Sequence, residues 1–424
     1  MTLRQKIRES RNKKPKITFF YFFEFNNKIE KKMKKIIATS VFAMAVASAN
    51  AAPLVTIGDQ LDVFFRGGVT GQWNSNVAYS HINKINDYST VIRLGAEANY
   101  GRNSKFKANV RFFEDLTRYA SKSEFNSNLA HVRAIASYTE QVLSLKANFS
   151  FDQNYQNSKT TIGANQAGVL VRSDSYNAGL TAAYNVSDKL DVEIGGNWQR
   201  IAYIDEWKEV YSDYDMYTIP VSVYYKVTPK IAAGLTYQYR YIEFSGGAAA
   251  DGAFYGNKRQ DHFAGLTLRG ELAPKLSSEI FFGGTVRDAS SGAGAEDDST
   301  MSFKANFGYE LSEKVGLFAS CFRDFGNGAS RQSSIDTGCE IGANYHFSTF
   351  LHGVASFAYE NSDYEIYRGG DRDDDTYIAR IGLKYVPNKF LTFSANYRFL
   401  ENSSSIASAN YNQHLIDFSV MVKY

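Results

Sequence analysis

YNVSDKL (residues 184–190) returns as YKVTPKI (225–231), YELSEKV (309–315) and YVPNKFL (385–391). Each copy runs from a tyrosine through a polar turn to an apolar residue that opens a new run. Ser187-Asp188, Thr228-Pro229 and Pro387-Asn388 carry turn chemistry, because Pro presets φ and short polar side chains bond the nearby backbone. The runs on either side have period 2. In LDVEIGGNW (190–198), Leu190, Val192, Ile194 and Trp198 alternate with Asp191, Glu193 and Asn197. YIARIGLKY (377–385) and LTFSANYRF (391–399) do the same. Successive side chains of a strand point to opposite faces, so each run has one apolar and one polar face.

The repeat is therefore a hairpin. Its marker tyrosines are Tyr100, Tyr138, Tyr184, Tyr225, Tyr309, Tyr345 and Tyr385, and the chain ends on Tyr424 in the same phase. One member is missing near Gly270, where GELAPKL (270–276) keeps the shape without the ring. The spacing is about 40 residues, which also suits propeller blades and helical repeats. Helical repeats fail on the period, and a blade needs four short strands where each unit here holds two long ones. Eighteen alternating segments are predicted, with sixteen as the alternative count. Eight tight turns lie near 101–104, 139–141, 186–188, 228–229, 273–274, 312–313, 348–349 and 387–388. They alternate with nine longer polar loops, such as SGGAAADGAFYGN (245–257), DASSGAGAEDDS (288–299) and RGGDRDDD (368–375).

The chain has 424 residues, 15% of them aromatic, with 29 Tyr and 31 Phe but 6 Pro. Its mean hydropathy is −0.34, which rules out a bundle of membrane helices. Soluble sandwiches alternate too, but their strands average about 5–6 residues. Long strands, an even count, short turns opposite longer loops and aromatics at the strand ends describe an all-β, transmembrane, antiparallel up-and-down barrel. Closure is required because lipid offers no partner for a free backbone N–H or C=O.

From Met33 the chain reads MKKIIATSVFAMAVASANAAP: two lysines, a short apolar run and an Ala49-Asn50-Ala51 cleavage site. Residues 33–51 are thus expected to be a secretory signal peptide, 1–32 an upstream extension outside the precursor, and 52–424 a single barrel domain. Of the 47 Lys+Arg and 44 Asp+Glu, 12 and 3 fall in residues 1–51. The remainder holds 35 and 41, a net charge of −6 instead of +3. With no basic stripe and no zinc spacing, a nucleic-acid partner is not expected.

HLIDFSVMVKY (414–424) places Ile416, Phe418, Val420, Val422 and Tyr424 on one face. It resembles the terminal strand by which outer-membrane barrels are recognised for assembly, although the usual last residue is Phe. Together with FRGGVTGQWNSNVAYS (65–80), the Tyr-turn hairpins and YNQHLIDFSVMVKY (411–424), the chain resembles the outer-membrane β-barrel porin family of Gram-negative bacteria. The resemblance covers essentially the whole chain after the leader. It implies a multi-pass outer-membrane porin and supplies no catalytic residues.

Candidate pore-lining residues on the polar phase are Arg66, Arg93, Glu97, Arg111, Arg133, Lys146, Asp191, Glu193, Glu279, Lys304, Glu340, Arg380, Arg398 and Asp417. They either tune which solutes pass or merely solvate and cross-link the inner wall. The eight tyrosines are read as a periplasmic aromatic girdle. An eighteen-strand barrel leaves an aqueous channel unless something fills it. No loop is long enough to suggest an inward-folded constriction, so an open pore narrowed by side chains is expected. Cys321 and Cys339 sit symmetrically about the loop joining their strands; they either form a disulfide or are two small lipid-facing residues. The histidines at 81, 131, 262, 346, 352 and 414 show no metal spacing, and His346 and His352 flank a tight turn. Ser and His show no hydrolase arrangement, so neither an enzyme nor a cofactor is expected. The acidic loop at Asp371, Asp373, Asp374 and Asp375 is either solvated or binds cations that bridge lipopolysaccharide.

The function that follows is passive diffusion of small hydrophilic solutes. A filled barrel with a structural, adhesion or polysaccharide-export role is the alternative. Expected partners are outer-membrane lipid and lipopolysaccharide, the barrel-assembly machinery and the solutes themselves.

Overall fold

A computed structural model describes residues 53–156, 170–248, 254–289, 297–364 and 372–424. The expected signal peptide, the extension before it and Asp371 lie outside the described residues. In chain order the strands are β1 (Val55–Ile57), β2 (Leu61–Asn74), β3 (Asp87–Tyr100), β4 (Phe106–Tyr119), β5 (Ser127–Thr139) and β6 (Leu143–Gln156). Then come β7 (Val171–Asn185), β8 (Leu190–Tyr203), β9 (Ser212–Thr228), β10 (Ile231–Gly246), β11 (Lys258–Ala273) and β12 (Leu276–Ala289). The last seven are β13 (Asp298–Glu310), β14 (Val315–Asn327), β15 (Ser333–His346), β16 (Leu351–Tyr364), β17 (Arg372–Tyr385), β18 (Leu391–Ser404) and β19 (Tyr411–Lys423).

From β2 onward every strand pairs antiparallel with the next, and β19 returns to β2, with Leu415 against Asn74 and Lys423 against Arg66. This closed, eighteen-stranded up-and-down barrel is the predicted fold. The backbone of Tyr424 exchanges hydrogen bonds of 2.6 and 2.9 Å with that of Phe65. Below this point β1 takes over the same edge of β2, pairing Val55 with Val63 and Ile57 with Leu61. The edge of β2 is thus covered by both ends of the described chain.

Which face meets lipid follows from exposure. Leu235, Leu266 and Phe418 are 66%, 63% and 65% accessible, and all stand on the outer face. A wall of such residues is stable only against hydrocarbon. The eight repeat tyrosines share this phase and end the descending strands beside the tight turns. The ninth descending strand, β11, has Gly270 there instead. Its φ is +129°, and a Cβ would approach the Lys230 carbonyl oxygen to 1.9 Å. The register of β11 against β12 also shifts between Glu271 and Ala273. A tyrosine cannot take that backbone, which explains the missing repeat.

Two ladders are imperfect. Between β8 and β9 pairing lapses around Pro220, which has no N–H to donate. Between β13 and β14 it stops at Phe303–Arg323, while β14 and β15 stay paired to Asn327–Ser333. The β14–β15 hairpin therefore leaves its neighbour at the loop end and bends as a unit.

Deleting residues 415–424 removes the closing strand. The protein should still be exported but should no longer give a heat-modifiable band in the membrane fraction. A wild-type level of inserted barrel would contradict this.

Candidate functional site: the lumen and its loop-end constriction

The fourteen candidate lining residues all lie on one face of the sheet, the one opposite the tyrosines. Contacts between distant strands identify this face as the concave one. Arg240 of β10 reaches Asp324 of β14 at 3.0 Å, and Arg269 of β11 reaches Glu193 of β8 at 3.2 Å.

On β2–β6 the wall carries two linked clusters. Glu97 is 2% exposed and is held by Arg66 at 3.1 Å, Arg111 at 3.4 Å and Lys423 at 2.8 Å. Next to it, Arg93 grips Asp115 through two bonds of 2.7 and 2.6 Å and lies over the Phe113 ring. His131 stacks on the far side of the same region and contacts Asp152 at 2.8 Å, which also accepts from Arg133 at 2.7 Å. On other strands, Asp191 pairs with Lys226, Arg380 with Glu340, and Asp417 accepts from Asn396. Arg398 donates to Gln413 at 3.0 Å. The side chains of Lys146, Glu279 and Lys304 form no ion pair or hydrogen bond among the described residues. Lys304 lines a lumenal cavity of about 570 Å³ together with Phe263, Phe281, Phe322, Asn306 and Gln238.

At the loop end the lumen is bridged, a correction to the expectation of a pore narrowed by side chains alone. The tip of the β14–β15 hairpin, residues 328–332, leans across to the start of β9. Ala329 is fully buried in a socket of Val171, Tyr203, Trp207 and Tyr211 from β7, the end of β8 and the β8–β9 loop. Its carbonyl accepts from the Ser212 N–H at 3.0 Å. Arg331 donates to the Ser212 hydroxyl at 2.8 Å, the Gly246 carbonyl at 2.6 Å and Asn257. Arg259 holds the base of the tip through Asn327 at 2.9 Å and the Arg331 carbonyl. Length was the wrong criterion: a short loop crosses part of the mouth because the hairpin beneath it bends inward.

A buried ionic network supports the bend. Arg287 is 1% exposed and clasps Asp261, 2% exposed, through bonds of 2.7 and 2.8 Å. Arg240 joins Asp261 at 2.6 Å to Asp324, and Arg287 also donates to the Gly326 carbonyl and the Ser333 hydroxyl. Removing one member of such a buried pair costs about 3–5 kcal/mol, because the other charge is left without compensation. These residues were missed in the sequence. Each stands on the inward phase of its strand, but nothing in a linear pattern says that β10 touches β14.

The β2–β3 loop is also tied inward. Asn76, fully buried, donates to the Ser80 and Asn412 carbonyls at 2.9 and 3.0 Å and accepts from Gln413 at 2.9 Å. The acidic run at 373–375 belongs to β17 and is not a loop. Asp374 is buried and bound by Arg372 at 2.6 Å, while Asp373 and Asp375 face outward and accept from Asn361. Cys321 and Cys339 stand directly opposite one another on the outer face and are free thiols. At the turn end, neighbouring turns are joined by Lys105–Glu140, and this ammonium, with the Tyr138 hydroxyl, holds the Glu140 carboxyl below its ordinary range.

Residues 66–424 match the family model described as "Putative beta-barrel porin 2". The chain belongs to this family. It is accordingly a porin-like channel for small solutes in the bacterial outer membrane, crossed many times by one chain. No curated protein matches the chain. Solved structures with a similar fold include OpdL and OpdK of Pseudomonas aeruginosa and OccAB3 of Acinetobacter baumannii. OpdL is 12% identical, covering 87% of this chain and 99% of that one, with a TM-score of 0.44. OpdK gives 10%, 86%, 99% and 0.45, and OccAB3 gives 11%, 87%, 100% and 0.46. Likenesses of this degree say nothing about the solute.

Replacing Ala329 by Glu forces an unpaired carboxylate into an aromatic socket, at a cost of several kcal/mol. The tip of this porin should then leave its socket, and single-channel conductance should rise about twofold or more. An unchanged conductance would show that the tip does not limit the pore.

Proposed function

We propose that this porin passes small hydrophilic solutes by passive diffusion, with its narrowest section at the bridged loop end. The observation that carries the proposal is the Ala329 tip seated against the β7–β9 stretch of the wall: a short bar across part of a wide barrel narrows the mouth without filling the bore. Below it the wall remains polar and charged, and such a surface supports water and discriminates by charge and width. The fourteen inward residues line the passage in this reading. Those already engaged in pairs set its shape, whereas Lys146, Glu279 and Lys304 are free to act on a passing ion. The loops face outward from the cell and the tight turns face the periplasm. The eight tyrosines then sit at the inner interface, ring toward lipid and hydroxyl toward water, as amphipathic aromatics prefer. Lipopolysaccharide around the loop end and the assembly machinery at the final strand are the partners that follow.

Proteoliposomes carrying the purified protein should swell in small sugars and should stop swelling above a size limit. Reversing one free charge, Lys304→Glu, should shift the reversal potential in a salt gradient toward cation preference and leave barrel stability unchanged. Well-folded protein that supports neither swelling nor current would favour a structural role instead.

A further inference from the structure

At the turn end of the lumen, His346 closes β15 and His352 stands near the start of β16, and the two are direct partners in register. Their Nδ1 atoms are 2.6 Å apart and the rings meet edge to face with centroids 4.8 Å apart. Both lie on the inward phase; His346 is exposed and His352 half-buried. Two neutral imidazoles in this position share one hydrogen: one Nδ1 donates and the other accepts. We propose that the pair is a two-nitrogen site for a divalent transition-metal ion of the imidazole-seeking class, Cu²⁺, Ni²⁺ or Zn²⁺, at the turn-end mouth of the channel.

Two nitrogens bound to one tetrahedral ion at about 2.0–2.1 Å stand roughly 3.3 Å apart, so the rings need to part by about 0.7 Å. Edge-to-face packing permits this, since a small χ rotation opens the gap without moving either strand. The hydrogen between the rings transfers to the free Nε2 of its own ring, and both Nδ1 lone pairs then point at the ion. No net proton is released from the neutral pair when the ion binds. The ladder fixes the two Cα positions, so little ordering entropy remains to be lost on binding.

The surroundings suit a site left open to water. Among the described residues no group of three or more His, Cys, Asp or Glu converges anywhere, so the remaining coordination positions belong to solvent. Lys384, the register partner of His352 on β17, forms no ion pair with a described residue. Its ammonium limits affinity and disfavours a hard, oxygen-seeking cation in particular. Other histidines are otherwise engaged: His131 by Asp152, His262 by the Tyr237 hydroxyl and His414 by the Tyr397 hydroxyl.

The test is titration of the full barrel in detergent with Cu²⁺ and Ni²⁺, read by calorimetry and, for Cu²⁺, by electron paramagnetic resonance. One equivalent per chain is expected, with hyperfine structure from two nitrogens and no binding of Mg²⁺ or Ca²⁺ in the same range. His346→Asn and His352→Asn should each weaken binding by at least about tenfold, and the double variant should abolish it. The exposed turn tolerates Asn, and unchanged heat-modifiability will confirm folding. Full-strength binding in the double variant, or no saturable binding by the wild type, overturns the proposal. Neither readout depends on conductance, so the result is independent of whether solutes pass.

Discussion

A sheet that crosses lipid cannot have a free edge, and the rest of this molecule depends on how that edge is closed. Each backbone N–H and C=O left open in hydrocarbon costs several kcal/mol, far more than any single side-chain contact recovers. Here β19 seals one side of β2 from Asn74 down to Phe65, and β1 continues the same seam to Leu61. The Glu97 cluster sits just inside, where Lys423 of β19, Arg66 of β2 and Arg111 of β4 meet one carboxylate. Closure and the inner charge network therefore reinforce one another at the same place.

Once the wall is closed, what the lumen can do is decided by where the wall bends. Pairing between β13 and β14 stops early, and the freed hairpin is drawn inward by Asp324, Arg240, Asp261 and Arg287. Arg240, Asp261 and Arg287 are too buried to serve as a selectivity surface, whereas Asp324 borders the lumenal cavity. Their role is positional: satisfied charges in a low-dielectric pocket tolerate few alternative arrangements. Ala329 completes the bridge, and its small side chain is what the crowded Tyr203–Trp207–Tyr211 socket admits.

Most of the architecture was legible because β geometry is periodic. A period of 2 fixed which residues face lipid, and the Tyr-turn heptad located the hairpins to within one or two residues. Even the broken repeat has a local cause in the positive φ of Gly270. The constriction was not legible, because it rests on contacts between strands that are not neighbours in the sheet. The inward phase of Arg240 and Asp261 could be read from alternation, but not the reach of Arg240 across to Asp324. Asp374 shows the same limit, since an acidic run that reads as a solvated loop is a strand with one carboxylate buried on Arg372. Likewise His346 and His352 have no ligand spacing in the sequence, and only the register of a tight hairpin brings them face to face.

This porin combines a closed wall with a passage that conducts despite its bridge. Recording the purified wild-type protein in planar bilayers tests this most directly. Stable, uniform single-channel steps, smaller than those of a variant lacking residues 328–332, are the predicted result. Folded, heat-modifiable protein that inserts but yields no steps would contradict it.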